Sequence, residues 1–460
     1  MDIDFQQGAG YPSRKYAWFV VAVLIVAALI AFIDRQVVAI VVDPMKADLG
    51  IGDAQIGWLY GVFAVFYAVA ALPIAWLADN RSRKRIIAAG IFLWSLMTMV
   101  CGLTKNFWQI LLARIGVGVG EATLSPAATS LIGDYFPRDQ IPLALSIFQT
   151  GPVIGSGLAF IIGGAVLSVV EAADPLILPV IGELRPWQQT FIYLGLPGLF
   201  LSFLFLAIRE PQRRSISDGS KQGADFADTV KFYGSNTKTL VLHHLGFLSL
   251  NLMGYAFVFW TVSYFVRVHG YNAADASQVF GWIFLIAGPV GPVLVALLAK
   301  QLSKKGYSEA NITAGMVGGV FAMVLILAIQ FVSTPLVAFI LYVPAMAAIN
   351  SPFGVAAGAL PVITPPQIRA QVAATYMLVG ALGMMLGPPL AGMFNQYIFP
   401  GPEGVRFSII TLTCVFGSIG TACLWFGRSH YGESMEYANS KFRSLDAGLG
   451  NSNSQVHDDQ

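Results

Sequence analysis

The chain has 460 residues, of which 56% are hydrophobic and only 11% charged, where a soluble globular chain carries roughly a quarter charged residues. Apolar runs longer than the ~20 residues needed to cross a bilayer recur along nearly its whole length, which argues against a water-solvated fold. The net charge of +2 selects no partner, and no basic cluster with interleaved aromatics marks a nucleic-acid surface.

Arg14 and Lys15 precede the first apolar run, which is too long for a signal peptide and lacks a small-residue cleavage site, so it is retained as the first helix. Polar punctuation predicts six spans over 17–42, 55–78, 86–103, 107–132, 143–170 and 190–208. Six more are expected over 240–266, 276–302, 311–331, 336–362, 368–397 and 405–426. The expected units are residues 1–208 as one six-helix bundle, 209–237 as a linker, 238–428 as the second bundle and 429–460 as a disordered tail.

Between spans five and six, the run from Glu171 to Trp187 holds three prolines and short apolar stretches on either side of Gly182 and Glu183, compatible with a small hairpin. In the linker, Phe226, Val230 and Tyr233 recur at helical spacing among polar neighbours. That pattern fits either a helix lying on the membrane surface or a tether. Cys101, Cys414 and Cys423 sit in apolar runs with no metal-ligand spacing. They read as packing residues, and no metal, cofactor or disulfide is expected.

If the amino terminus is cytoplasmic, inner loops and tails hold 20 of the 27 Lys and Arg residues. The opposite orientation would break the positive-inside rule, so both termini are expected inside. The halves also echo each other. Asp53-Ala54-Gln55-Ile56-Gly57-Trp58 opens span two and Asp275-Ala276-Ser277-Gln278-Val279-Phe280-Gly281-Trp282 opens span eight, while Phe136-Pro137 through Gly155 tracks Thr364-Pro365 through Gly383 at constant offset. Two six-helix repeats sharing a midplane site is the architecture of alternating-access transporters.

At the inner end of span two stands Ala75-Trp76-Leu77-Ala78-Asp79-Asn80-Arg81-Ser82-Arg83-Lys84-Arg85. It resembles the loop signature of the major facilitator superfamily, departing from it at Ala75, Asn80 and Ser82. Arg114-x-x-x-Gly118-x-Gly120, Gly151-Pro152-x-x-Gly155 and Trp187-x-x-x-Phe191 resemble further superfamily elements in the expected order. More narrowly, Phe32-Ile33-Asp34-Arg35-Gln36 together with Arg114 through Gly120-Glu121-Ala122 resembles the spinster-like branch, over residues 17 to about 428. The resemblance implies an all-α membrane protein of twelve transmembrane helices in two pseudo-symmetric six-helix bundles. Animal members of that branch are associated with sphingolipid and lysolipid export.

Asp34, Arg35, Arg114 and Glu121 all fall at membrane depth, where each charge costs on the order of 2.5 to 3.5 kcal/mol. A rise of 1.5 Å per residue gives Asp34 and Arg114 similar depths, roughly 10 to 12 Å below the outer ends of their spans. Glu121 follows Arg114 by seven positions, two helical turns on the same face. One arginine within reach of two acids suits proton coupling, since a protonated carboxyl releases the arginine and an ionised one recaptures it. It also fits a static clamp between the two spans. Arg35 points ~100° away from Asp34 and is expected to brace packing or reach outward. The branch resemblance implies that Asp34 and Glu121 are protonatable cavity residues near Arg114.

The superfamily resemblance also implies an inner gate in which Asp79 faces the start of span eleven, near Ile368 to Ala370, and Arg83 pairs with Asp134; otherwise these are exposed loop charges worth little. The glycines of spans four and five, including Gly118 and Gly157, read as close-packing positions. Arg114, Tyr60, Tyr255, Trp260, Asn350 and Tyr376 are the candidate cargo contacts, and His243 and His244 are expected at the interface.

The reading is a monomeric, proton-coupled transporter in a bacterial inner membrane, its partners being protons, membrane lipids and an amphipathic or lipid-like small molecule. A rival is a transporter of small organic anions or sugar acids with Arg114 as carboxylate clamp. An intramembrane lipid enzyme finds no His-Glu-x-x-His or Gly-x-Ser-x-Gly to support it.

Overall fold

The computed structural model describes residues 11–179, 182–213 and 226–455. Among these, twelve helices are long and apolar enough to cross a membrane. They run Arg14–Ile40, Asp53–Asn80, Arg83–Cys101, Phe107–Tyr135, Ile141–Ala172 and Pro186–Ala207, then Thr237–His269, Ala273–Lys304, Ala310–Gln330, Pro335–Ile363, Gln371–Ile398 and Gly404–Ala438. Every predicted span is present, most of them extended by a few residues at one or both ends. Long apolar runs settle into helices because a membrane leaves the backbone no other way to satisfy its own hydrogen bonds.

An even number of spans brings both ends of the bundle to one face. That face also carries the Arg81–Arg85 loop and is called the basic face below. Span four is interrupted, one helix ending at Glu121 and the next starting at Leu124, with the Thr123 hydroxyl donating to the Gly120 carbonyl at 2.8 Å. Gly118 lies where a Cβ would stand 2.6 Å from the Phe63 carbonyl, so spans two and four meet at backbone distance.

Strands Leu176–Leu178 and Gly182–Leu184 pair antiparallel, giving the hairpin expected between spans five and six. In the linker, Phe226–Ser235 is a helix with Phe226 and Val230 exposed, which favours the surface helix over the tether. The rest of that polar stretch, 214–225, lies outside the described residues.

The tail departs from expectation. Residues 429–460 read as disordered, yet the last helix continues from Gly404 to Gln455; residues 456–460 lie outside the described residues. The extension has partners that composition does not reveal. The buried Tyr431 hydroxyl donates to the Ala359 carbonyl at 2.8 Å, Ser434 donates to the Asn236 side chain at 3.0 Å, and Thr239 donates to the His430 carbonyl at 3.0 Å.

The two faces differ in how the halves meet. Away from the basic face, Gly57 of span two lies against the backbone of Pro388 and Pro389 in span eleven, and Gly157 of span five lies against Leu285 of span eight. Toward the basic face, Leu72 and Trp76 of span two are 78% and 68% exposed. Backbone packing seals the halves together away from the basic face, and Leu72, which lies on nearly the same side of span two as Gly61, is left exposed toward it.

Candidate functional site

Asp34 is completely buried in span one, and neither carboxylate oxygen has a hydrogen-bond partner. Arg114, equally buried in span four, donates from Nη1 to the backbone carbonyl of Asp34 at 3.0 Å. Its Nε and Nη2 are unpartnered. Thr98 of span three lies beside the Asp34 carboxyl, its hydroxyl placed to donate to it but outside full hydrogen-bond geometry. A buried cation and a buried acid thus stand side by side with most of their hydrogen-bonding capacity unspent, an expensive arrangement.

Glu121 is held by a different arginine. Arg35 Nη2 donates to Glu121 Oε2 at 2.7 Å, so the expectation that Arg35 only braces packing or reaches outward is corrected. The 100° between neighbouring residues on a helix describes where the Cβ atoms start, and a long arginine side chain overrides it. Arg114 remains within electrostatic range of both acids. The two guanidinium groups share an aromatic seat, with Arg35 5.1 Å and Arg114 4.9 Å from the Phe63 ring centroid. Such contacts are worth about 0.5 to 2 kcal/mol each, more where water is excluded.

Of the candidate cargo contacts, some converge and some do not. Buried Tyr60 lies within electrostatic range of Arg35, Arg114, Glu121 and Tyr255. Half-buried Tyr255 approaches Arg35 and Tyr67 from the second half. Tyr60, Tyr67 and Tyr255 therefore form an aromatic wall beside Arg35, drawn from both repeats. Trp260 belongs to the sealed seam instead: its indole N–H donates to the Pro388 carbonyl at 3.0 Å and its ring lies 5.5 Å below the Arg267 guanidinium. Asn350 donates its amide to the Met346 carbonyl of its own helix at 2.8 Å.

Tyr376 packs edge-on against His243 and His244, at 5.5 and 5.9 Å, and lies within electrostatic range of Tyr255. Both histidines are buried within the protein. His243 Nε2 meets the Ala356 carbonyl at 3.0 Å, the two Nδ1 atoms stand 3.1 Å apart, and His244 Nε2 meets the Tyr233 hydroxyl at 3.1 Å. A carbonyl only accepts, so the His243 proton sits on Nε2 and His244 donates from Nδ1. The linker helix is tied to span ten through this chain.

At the basic face, buried Arg83 forms ion pairs with Asp134 and, at 2.9 Å, with Glu210. Glu210 was absent from the candidates. Its carboxylate caps the third span, accepting from the Arg83 and Lys84 backbone N–H groups at 3.1 and 3.0 Å and from the Ser82 hydroxyl at 2.7 Å. Burial raises the Glu210 pKa, but the bonds from Lys84, Ser82 and Arg83 outweigh it and hold the group below its ordinary value. Asp79 is exposed, with no ion pair or hydrogen bond among the described residues, so the expected docking at the start of span eleven is not made in this structure. That position is covered by the linker helix, whose Thr229 hydroxyl bonds Gln371. Ile368 lines a cavity of about 1040 Å³ between the linker helix and the final helix.

A second charged cluster lies at the sealed face. Arg267 at the end of span seven donates from Nε to Asp43 at 2.7 Å and grips Asp53 with Nη1 and Nη2 at 2.5 and 3.0 Å. Lys46 donates to the same Asp53 at 2.6 Å. Arg267 lies far from the other three in the chain, and no local pattern in the sequence shows that they meet.

The profile of the Major Facilitator Superfamily matches residues 24–388. The chain is 27% identical to Protein spinster of Drosophila melanogaster over 88% of its own length and 68% of that protein's. It is 23% identical to an MFS-type efflux pump of Mycolicibacterium smegmatis, over 91% and 94% of the two chains. Among solved structures, it superposes on a bacterial homolog of the human lysosomal transporter spinster, in an inward-facing and unoccupied conformation, with a TM-score of 0.79 and 25% identity over 92% of this chain and 99% of that one.

Proposed function

The chain belongs to the Major Facilitator Superfamily, and we propose that it is a proton-coupled secondary transporter that carries an amphipathic or lipid-like small molecule by alternating access. Its likeness to spinster proteins supports the cargo class, as does the aromatic wall of Tyr60, Tyr67 and Tyr255 beside a cation, which suits a molecule with an apolar body and a polar head.

One observation carries the coupling. Asp34 is fully buried with both carboxyl oxygens unpartnered, beside an arginine whose Nε and Nη2 are also unpartnered. A carboxyl in that position needs either a proton or the arginine. With a proton on Asp34, Arg114 stays on the span-one backbone as observed. On proton loss, the free N–H groups of Arg114 turn to the carboxylate and draw spans one and four together. Glu121 with Arg35 forms a second acid–arginine unit, freed by its own protonation. A static clamp would already have spent these groups on each other.

We assign the basic face to the cytoplasm by its charge and both termini with it, in a bacterial inner membrane, the chain working as a monomer. The sealed face is then the outer one and the structure is inward-facing. Arg83 with Asp134, joined by Glu210, organises the inner ends of the first half. Asp79 finds its partner when the inner side closes.

The test begins with a thermal-shift screen of lysolipids, fatty amines and small organic acids. The hit is then followed into proteoliposomes under an imposed pH gradient. Accumulation of a lysolipid or fatty amine that depends on the gradient is expected. Accumulation of organic acids alone would replace the cargo class, and equal movement with and without a gradient would end the proton coupling.

A further inference from the structure

Alternating access requires the outer side to open, and the halves meet there along two seams. Both are packed at backbone distance, the first through Gly57 and Gly61 of span two against Pro388 and Met385 of span eleven, but only the first adds a charge cluster. At the first, spans two, seven and eleven converge on charges. Arg267 of the second half grips Asp53 of the first with two N–H groups and holds Asp43 with its third nitrogen. Its side chain is 10% exposed and that of Asp53 4%. The Ala54 backbone N–H also crosses to the Gln396 side chain at 3.0 Å. Yet the cluster is not dry, because Lys46, Asp53, Arg267, Asn395 and Gln396 bound a cavity of about 510 Å³ that opens to the outside. Water is at hand to solvate each charge as the pair separates, so the contact can be strong when closed and still breakable.

The second seam, spans five and eight, has the same backbone fit without the charge cluster. A Cβ on Gly157 would stand 2.8 Å from the Leu285 Cα, one on Gly281 2.7 Å from the Ile161 nitrogen, and one on Gly164 2.7 Å from the Ala274 carbonyl. The repeat places Asp275 here as the counterpart of Asp53, but Asp275 is exposed with no ion pair or hydrogen bond among the described residues. Among the described residues, the side-chain hydrogen bond across this seam is that from the Asn272 amide to Glu171 at 3.2 Å.

We propose that Arg267, with Asp53 and Asp43, is the latch of the outer gate, and that the seam between spans five and eight is the pivot about which the outer side opens. The inference rests on the alternating-access reading. A charge cluster adds a contact that releases over a short separation once water enters, and the seam without one is left to slide and rotate on its packed backbones alone. Arg267 and Asp53 are positioning residues: they set the balance between states without touching the cargo.

Spin labels test this in full-length protein in nanodiscs, with Cys101, Cys414 and Cys423 replaced by alanine. One labelled pair, at Ala47 and Glu403, spans the latch seam, and another, at Ala172 and Asp275, spans the pivot; all four positions are exposed. In Arg267→Gln the long-distance population across the latch is expected to rise by roughly tenfold, the scale of an ordinary conformational coupling, while the pivot pair moves little. Arg267→Lys keeps the charge and is expected to restore most of the short population, and Asn272→Ala is expected to shift neither pair. Two populations whose ratio is the same in Arg267→Gln as in the native protein would overturn the latch, and an Asn272→Ala shift as large as that of Arg267→Gln would overturn the pivot. A single unvarying distance in the native protein and every variant would instead overturn alternating access itself.

Discussion

Arg114 Nη1 donates to the backbone carbonyl of Asp34 at 3.0 Å while the Asp34 carboxylate beside it accepts nothing. An arginine parked on a neighbour's backbone holds the two helices together and keeps its remaining N–H groups in reserve, which is what a switchable pair requires. The backbone contact also explains why Arg114 can leave the carboxyl without leaving the site.

Arg114→Lys therefore keeps a charge at the site but loses the planar fork that serves carbonyl and carboxyl together. Transport is expected to fall on the order of tenfold in Arg114→Lys and to vanish in Arg114→Ala, where two buried acids lose a cation. Equal rates in the native protein and Arg114→Ala, measured in proteoliposomes with the screened cargo, would remove Arg114 from the mechanism.

Arg35 and Glu121 form a closed pair at 2.7 Å, so their losses should not add. Thermal unfolding of Arg35→Gln, Glu121→Gln and the double variant is expected to give a coupling of about 1 to 3 kcal/mol, the double being no less stable than the worse single. Additive losses would mean that the two side chains act separately.

Glu210 offers a pH test outside the membrane. Its pKa is held below the ordinary carboxyl value by the N–H groups and hydroxyl it caps, against the opposing effect of burial. A group depressed on folding adds stability above its unfolded pKa, near 4.3, and that contribution fades as pH falls through the folded value. Glu210→Gln should thus melt below the native protein at neutral pH, with the gap closing as the solution becomes strongly acidic. A gap independent of pH would mean that the lost contacts are steric.

Asp79 has no ion pair or hydrogen bond among the described residues in this conformation and on this account gains a partner when the inner side closes. Asp79→Asn is therefore expected to leave the inward-facing state intact and to raise its share, read as faster thiol labelling of a cysteine placed at Trp76. Unchanged labelling would mean that Asp79 holds nothing in either state.

Much of this was legible in the sequence. The spans follow from apolar run length, and the repeat from Asp53 and Asp275. Cost predicts that Asp34, Arg114 and Glu121 should seek partners at membrane depth, but it does not choose the pairs, and Glu121 is held by Arg35. What stayed hidden depends on reach and on distant partners. Arg35 was misread because a helical wheel fixes the Cβ and says little about a guanidinium several bonds away. Glu210 caps a helix more than a hundred residues earlier in the chain, with no local signature. The polar tail resembled a disordered segment because Tyr431 and Ser434 find their partners on other helices.

The central claim is that Asp34 takes up and releases a proton with Arg114 as its alternative partner, and pH-titrated infrared difference spectroscopy of the purified protein tests it most directly. The account predicts a protonated-carboxyl band that titrates in the native protein, disappears in Asp34→Asn and moves to a different pH in Arg114→Lys. A titrating band unchanged in Asp34→Asn and in Arg114→Lys would contradict it.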